Sequence, residues 1–202
     1  MRKIAALIFP GFELLDVFGP MEMFGLLPEE YALELIAENR GPVASNQGLS
    51  AYATATTADG MNHDILFVPG GAGTRREVEN ASLVAWIDKA SQHAEFTLSV
   101  CTGSALLARA GILDNRRATT NKAAFSWVAS QGPGVDWVPR ARWVEDGNIL
   151  TSSGVSAGMD MALGAIQRMH GRDRALEVAK WCEYTWQEDR DHDPFAEVHG
   201  LV

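Results

Sequence analysis

Cysteine is scarce in this chain: two in 202 residues, Cys101 and Cys182. They stand in different kinds of segment, so no disulfide framework is expected, and no Cys or His spacing matches a metal site. A reducing, cytoplasmic setting is the expectation. Long apolar runs are also missing; none approaches the roughly 20 residues that a bilayer-spanning helix needs. Basic clusters are absent as well. The chain has 17 Lys and Arg against 26 Asp and Glu, a formal net charge of −9, and no block of like charge. Nucleic acid is thereby disfavoured as a partner, because phosphate contacts need clustered Lys and Arg. Repeats, low-complexity tracts and linkers are missing, and a single domain over residues 1–202 is expected. No cofactor fingerprint is present. Gly70-Gly71-Ala72-Gly73 fits neither the dinucleotide-binding glycine spacing nor the phosphate loop, so no cofactor is expected.

What is present is an alternation of short apolar runs with helical patterns. Ile4–Phe9 reads as a strand buried on both faces and bounded by Pro10-Gly11, not as a signal peptide. Phe12–Phe24 reads as a helix that Gly19-Pro20 interrupts. Tyr31–Ala37 is a second strand, residues 40–60 suggest edge strands and hairpins, and Asp64–Pro69 is another buried strand. Ser82–Gln92 is a helix capped by Ser82 or Asn80. Phe96–Val100 is a strand followed at once by a helical pattern, Ser104–Ala110. A short strand at Arg117–Thr120 and a short helix at Ala123–Ala129 follow. Arg140–Val144 and Ile149–Thr151 flank a hairpin turn. Helices over Ala157–Met169 and Arg172–Tyr184 follow, the second with Cys182 as inert packing near its middle. In the charged tail, Asp193-Pro194-Phe195 is expected to tuck back on the body. The pattern predicts an α/β fold: a three-layer sandwich around a mostly parallel sheet, flavodoxin-like in its winding. In such sheets sites form beyond the carboxyl ends of the strands.

Three loops meet that condition: Gly11–Asp16, Gly70–Gly73 and Cys101–Gly103. A strand that turns into a helix over three residues aims the corner residue into open space, the geometry of a nucleophile elbow. Cys101 occupies that corner. Backbone N–H groups at the helix start favour a thiolate and are expected to lower the Cys101 pKa. The glycines at 70 and 71 permit close approach of backbone amides to the sulfur, and the amides of Gly71 and Thr102 could form an oxyanion hole. A carboxylate within an apolar stretch, Asp16 or Glu22, supplies a proton donor and acceptor. Burial beside the sulfur would raise its pKa. Asp16 lies one short turn past the first strand, whereas Glu22 lies beyond Gly19-Pro20. None of the five histidines falls in these loops. Asn121, Ser153 and Gly154 complete the candidates.

These stretches resemble the ThiJ/PfpI superfamily, whose fold is like that of the class I glutamine amidotransferases. The matching residues run in order: Ala6–Asp16, Gly19–Phe24, Asp64–Gly71, Ser99–Gly103, Leu113–Thr120 and Thr151–Asp160. Within the superfamily the chain is most similar to the isocyanide hydratase branch and to sensor-like domains of AraC-type regulators. Those regulators carry an additional helix-turn-helix region, for which this chain is expected to leave no room. Many relatives place His-Trp after the Ala-Thr-Thr run, where this chain has Asn121-Lys122, which argues against activities that need a histidine beside the cysteine. The resemblance implies Cys101 as nucleophile and Asp16 as its acid/base partner. It also implies a small-molecule substrate, turnover without cofactor, and a homodimer packed near the elbow, and the apolar surface of the first helix and the Cys101 helix points to the same expectation. Two alternatives are an oxidative-stress sensor, in which Cys101 is oxidised to sulfinic acid, and a binding member without turnover.

Overall fold

In the computed structural model, which describes residues 1–202, the continuous apolar runs are buried as strands: Ile4–Leu7, Ile65–Val68, Thr97–Val100 and Ile149–Ser152. In chain order the elements are β1 (Arg2–Leu7), α1 (Leu14–Gly25), β2 (Tyr31–Ala37), β3 (Gly41–Ala44), β4 (Ser50–Ala53), β5 (Ala55–Thr56), β6 (Ile65–Val68), α2 (Thr74–Glu77), α3 (Ala81–His93), β7 (Phe96–Val100), α4 (Gly103–Arg109), β8 (Arg117–Ala118), α5 (Phe125–Gln131), β9 (Asp136–Trp137), β10 (Trp143–Asp146), β11 (Ile149–Ser152), α6 (Ala157–His170), α7 (Arg172–Trp181) and α8 (Phe195–Val198). Seven strands form the central sheet in the order β10-β11-β7-β6-β1-β2-β5. Every neighbouring pair is parallel except β10 with β11, the antiparallel hairpin at the edge. Residues 40–60 give a two-stranded ribbon, β3 with β4, and the short edge strand β5.

The chain leaves β1 for β2 on one side and returns through β6 to β7 and β11 on the other. Right-handed crossovers then place α1 on one face and α3 and α4 on the opposite face. Helices α1, α6 and α7 pack together, as do α2, α3, α4 and α5. The strand order reverses beside β1 and β6. The loops after β1, β6 and β7 therefore converge at one carboxyl edge, where a ligand crevice forms in such sheets.

The structure corrects several expectations. Helix α1 runs through Pro20 without a break. Pro20 is buried, and Gly19 and Gly158 bring α1 and α6 into close contact: a Cβ on Gly19 would lie 2.8 Å from Met159, and one on Gly158 would lie 3.2 Å from Pro20. Packing against α6 thus keeps the helix continuous across the missing N–H. Helix α7 ends at Trp181, because Glu183 takes a left-handed φ of 49°, so Cys182 caps the helix and does not sit in its middle. The cap of α3 is Asn80, whose Oδ1 accepts from the Leu83 N–H at 3.2 Å. The tail does tuck back: Asp193 and Ala196 are buried and Phe195 opens α8.

Candidate active site

The corner at Cys101 is a left-handed turn. Its φ is 57°, one of only three positive values on a non-glycine residue. Such a conformation costs on the order of 1–3 kcal/mol and persists only where its surroundings fix it. Here they do. The Cys101 N–H donates to the carbonyls of Ser152 and Ser153, both at 3.2 Å. Its carbonyl accepts from the hydroxyls of Thr120 (2.9 Å) and Ser104 (3.1 Å). The turn into α4 needs glycine at 103, because a Cβ there would sit 2.3 Å from the Val68 carbonyl oxygen. Gly71, at φ 127°, meets the first loop just as closely, with the Gly11 carbonyl 2.3 Å from where a Cβ would stand.

The carboxyl that reaches this corner belongs to Asp16. It lies in the first turn of α1, fully buried, with Oδ2 accepting from the Gly70 N–H at 2.9 Å. Its other oxygen has no hydrogen-bond partner. The Asp16 and Cys101 side chains are near enough to shift one another's proton affinity. Burial pushes the Asp16 carboxyl up to about 8, against the opposing pull of the Gly70 amide. Glu22 points elsewhere: it is exposed and lies near Cys182.

The expectation of a thiol with lowered pKa is overturned. Burial, reinforced by the Asp16 carboxylate, pushes the Cys101 thiol well above its ordinary range. The Thr102 N–H and the Asn121 side-chain amide act on the sulfur in the opposite direction and are outweighed. Helix α4 has seven residues, and its start offsets only part of the desolvation of a Cys101 that is 6% exposed. The Gly70 and Gly71 amides also differ from expectation. Gly70 N–H is committed to Asp16, and Gly71 N–H donates to Thr102 Oγ1 at 3.1 Å. The donors facing the sulfur are therefore the Thr102 N–H and Asn121. The Asn121 Oδ1 accepts from the Ala124 N–H (2.9 Å), and its NH₂ group packs against Gly154, where a Cβ would meet Nδ2 at 2.0 Å. Alanine at 154 would displace the amide from the sulfur.

Beside this cluster opens a cleft of about 280 Å³, with Asn121, Ser153 and Gly154 on one side and Leu15, Phe195 and His199 among its other walls. The last two are residues that sequence reasoning missed. Asp193 accepts from the Phe195 N–H at 3.0 Å, a helix-start signal with Pro194 between them that was readable in the sequence. Lys122, next to Asn121, is a second omission. It is buried, and its Nζ donates to Thr119 Oγ1 (2.8 Å) and to the Ala141 carbonyl (2.6 Å). No group of three or more His, Cys, Asp or Glu side chains is placed to hold a metal ion, and no helix is long and apolar enough to cross a membrane.

A mostly parallel sheet in which an interior strand, β7, ends in a left-handed cysteine corner, with a buried carboxyl near it, defines an α/β protein with a strand–cysteine–helix elbow. More narrowly, the DJ-1/PfpI family model matches residues 2–168, and the chain belongs to that family. It is 36% identical to the isonitrile hydratase of Pseudomonas putida over 183 residues, which is 90% of this chain and 78% of that protein. A crystal structure of a ThiJ/PfpI family protein from Pseudomonas syringae has a TM-score of 0.84 and 32% identity, covering 96% of this chain and 76% of the other. The HTH-type transcriptional regulator CdhR of Pseudomonas aeruginosa is 29% identical over 86% of this chain, which spans 52% of that regulator.

Proposed function

We propose that the protein hydrates a small electrophile through Cys101, converting an isocyanide to an N-substituted formamide. The observation that carries this reading is the buried Asp16–Cys101 pair at the elbow, in which Asp16 holds a proton up to about pH 8. The 36% identity to an isonitrile hydratase supports the choice of substrate class.

Isocyanide carbon is electron-rich until it is protonated, so attack needs an acid and a nucleophile on the same atom. The reacting form of the pair holds one proton, on Asp16, with Cys101 as thiolate: the sulfur bonds to the terminal carbon while the Asp16 carboxyl delivers its proton to that carbon. The product is a thioimidate, R–N=CH–S, and an Asp16 carboxylate. The carboxylate then takes a proton from water as the hydroxide adds to the thioimidate carbon, and returns it to nitrogen. Collapse of the tetrahedral adduct forms the formyl C=O and breaks the C–S bond. The hydroxyl proton passes back to the Asp16–Cys101 pair, restoring it. The net change is R–NC plus water to R–NH–CHO. The Asn121 amide and the Thr102 N–H stabilise the sulfur when it leaves with negative charge.

Incubation of the purified protein with an alkyl isocyanide is expected to consume it and yield one formamide, seen as the formyl proton by NMR. No formamide above the buffer rate would overturn the reading and leave a binding member without turnover. The oxidative-sensor alternative would instead show as peroxide-dependent conversion of Cys101 to sulfinic acid by mass spectrometry without formamide formation.

We further propose that the protein acts in the cytoplasm as a homodimer. The face for this is α1, where Leu15 and Phe18 are 42% and 44% exposed. Helix α4 does not contribute as expected, because Gly103–Ala108 are all buried. Light scattering at micromolar concentration should give twice the chain mass; a monomer mass would refute the dimer.

A further inference from the structure

The family match ends at residue 168, yet one wall of the cleft comes from beyond it. Residues 184–201 are fastened to the body by buried groups. Asp160 accepts from the Tyr184 hydroxyl (2.9 Å) and the Gln187 N–H (3.0 Å), and its carbonyl accepts from Trp186 Nε1 (3.1 Å). Arg142 donates from Nε to Asp160 Oδ2 at 2.7 Å, and its N–H donates to the Arg190 carbonyl at 2.8 Å. Asp193 is fully buried at 3.8 Å from the Arg142 guanidinium and donates its N–H to the Arg140 carbonyl at 2.7 Å. Lys122 lies in the field of Asp193 and adjoins Asn121 in the chain. A tail held this firmly is part of the site's architecture. Removing Arg142 would leave the buried Asp160 and Asp193 without their cation, which is far costlier than losing an exposed ion pair.

What the tail contributes is apolar. Ala196 is fully buried as the anchor of α8, while Phe195 remains 52% exposed and lines the cleft with Leu15. Leu15 precedes Asp16, and the Asn121 amide acts on the Cys101 sulfur, so two residues that line the cleft adjoin the reacting groups. Its lining is mixed: Asn121, Ser153 and Ser156 are polar, and Leu15, Val155 and Phe195 are apolar. That layout suits a molecule with a small polar head and a hydrocarbon substituent.

We propose that α8 is a specificity wall, and that Phe195 limits the bulk of the hydrocarbon substituent on the electrophile reaching Cys101. The inference rests on Cys101 as the reacting group, as argued above. A pocket wall discriminates by steric fit, and one or two carbons in an apolar pocket change kcat/KM by about tenfold at the low end. Truncating a half-exposed side chain removes little burial, so Phe195→Ala should fold normally.

Two measurements on wild type, Phe195→Ala and Phe195→Trp test it. The first is kcat/KM for methyl and cyclohexyl isocyanide. The second needs no turnover: the rate of Cys101 alkylation by iodoacetamide and by N-cyclohexyl iodoacetamide, read by peptide mass spectrometry so that Cys182 is counted separately. The thiolate displaces iodide in each case. Phe195→Ala should raise the bulky-to-small ratio about tenfold in both measurements, and Phe195→Trp should lower it. If no protein hydrates either isocyanide but the alkylation ratios shift this way, the wall stands and the hydratase reading falls. If the alkylation ratios of both variants match wild type, the wall is refuted whatever the turnover shows.

Discussion

Replacing Cys101 by serine is expected to lower turnover by at least ~10³-fold while leaving the fold and its melting point nearly unchanged. The loss follows from the group, not from the shape. Serine oxygen holds its proton far more tightly than sulfur in the same buried corner, and no histidine stands by to remove it. The hydroxyl would occupy the site without attacking. The stability side follows from the backbone. Four hydrogen bonds fix the φ of 57° at this corner, and all of them involve main-chain atoms of residue 101 that serine retains. The change in unfolding free energy should stay within about 1 kcal/mol. Cys182→Ala is the comparison. That sulfur lies at the end of α7, 3.5 Å from Met23 Sδ, and lines no part of the cleft. Its removal should leave kcat/KM within about twofold. A Cys101→Ser protein with wild-type turnover would eliminate covalent attack, and a collapsed Cys101→Ser beside a sound Cys182→Ala would mean that the sulfur is chiefly structural.

The buried strands were legible because runs such as Ile4–Leu7 and Ile65–Val68 are apolar on consecutive residues, which only a strand covered on both faces requires. The elbow was legible for a related reason: three residues between a strand and a helix leave little choice of geometry. Asp16 could be favoured over Glu22 by chain distance alone, and the structure puts Asp16 against Gly70 and Glu22 in solvent. What stayed hidden depends on long-range packing. Pro20 reads as a break because the glycines of α1 and α6 that seat it are 139 residues apart, at 19 and 158. The thiol was misjudged because a helix start is visible in sequence and the desolvation of the sulfur is not. Phe195 and His199 reach the site only through the fold of the tail, and Lys122 is drawn in by Thr119 and the Ala141 carbonyl; periodicity is blind to both.

Asp16→Asn should cost at least ~10²-fold in kcat/KM, the low end for losing a general acid–base group. The same change should make the protein more stable at alkaline pH. Asparagine keeps the shape, and its side-chain oxygen can accept the Gly70 N–H that Asp16 Oδ2 accepts at 2.9 Å. It cannot deliver a proton to carbon or take one from water. The pH profile carries the diagnosis. With Asp16 raised to about 8 beside a raised thiol, the pair is doubly protonated at neutral pH and reaches its one-proton form only as pH climbs through about 8. Wild-type kcat/KM should therefore rise across that region, and the Asn variant should lose the limb. Stability moves the other way. The folded state keeps the Asp16 proton up to about pH 8, whereas the unfolded chain releases it near the ordinary value of 3.8. Between those values the folded state binds more protons, so wild-type stability contributed by this group is full below 3.8 and lost as pH rises through 8. Above pH 8 the wild type carries a desolvated carboxylate with one oxygen unpartnered, and Asn does not. The gain for Asp16→Asn at pH 9 is on the order of 3–5 kcal/mol, or roughly 10 °C in melting temperature for a chain of this length. Near pH 4 the two proteins should melt together. Glu22→Gln, at an exposed position, should match wild type in all three measurements. Normal turnover by Asp16→Asn beside a dead Glu22→Gln would assign the proton to the wrong carboxylate, and identical melting of Asp16→Asn and wild type at pH 9 would show that Asp16 is not held neutral by burial.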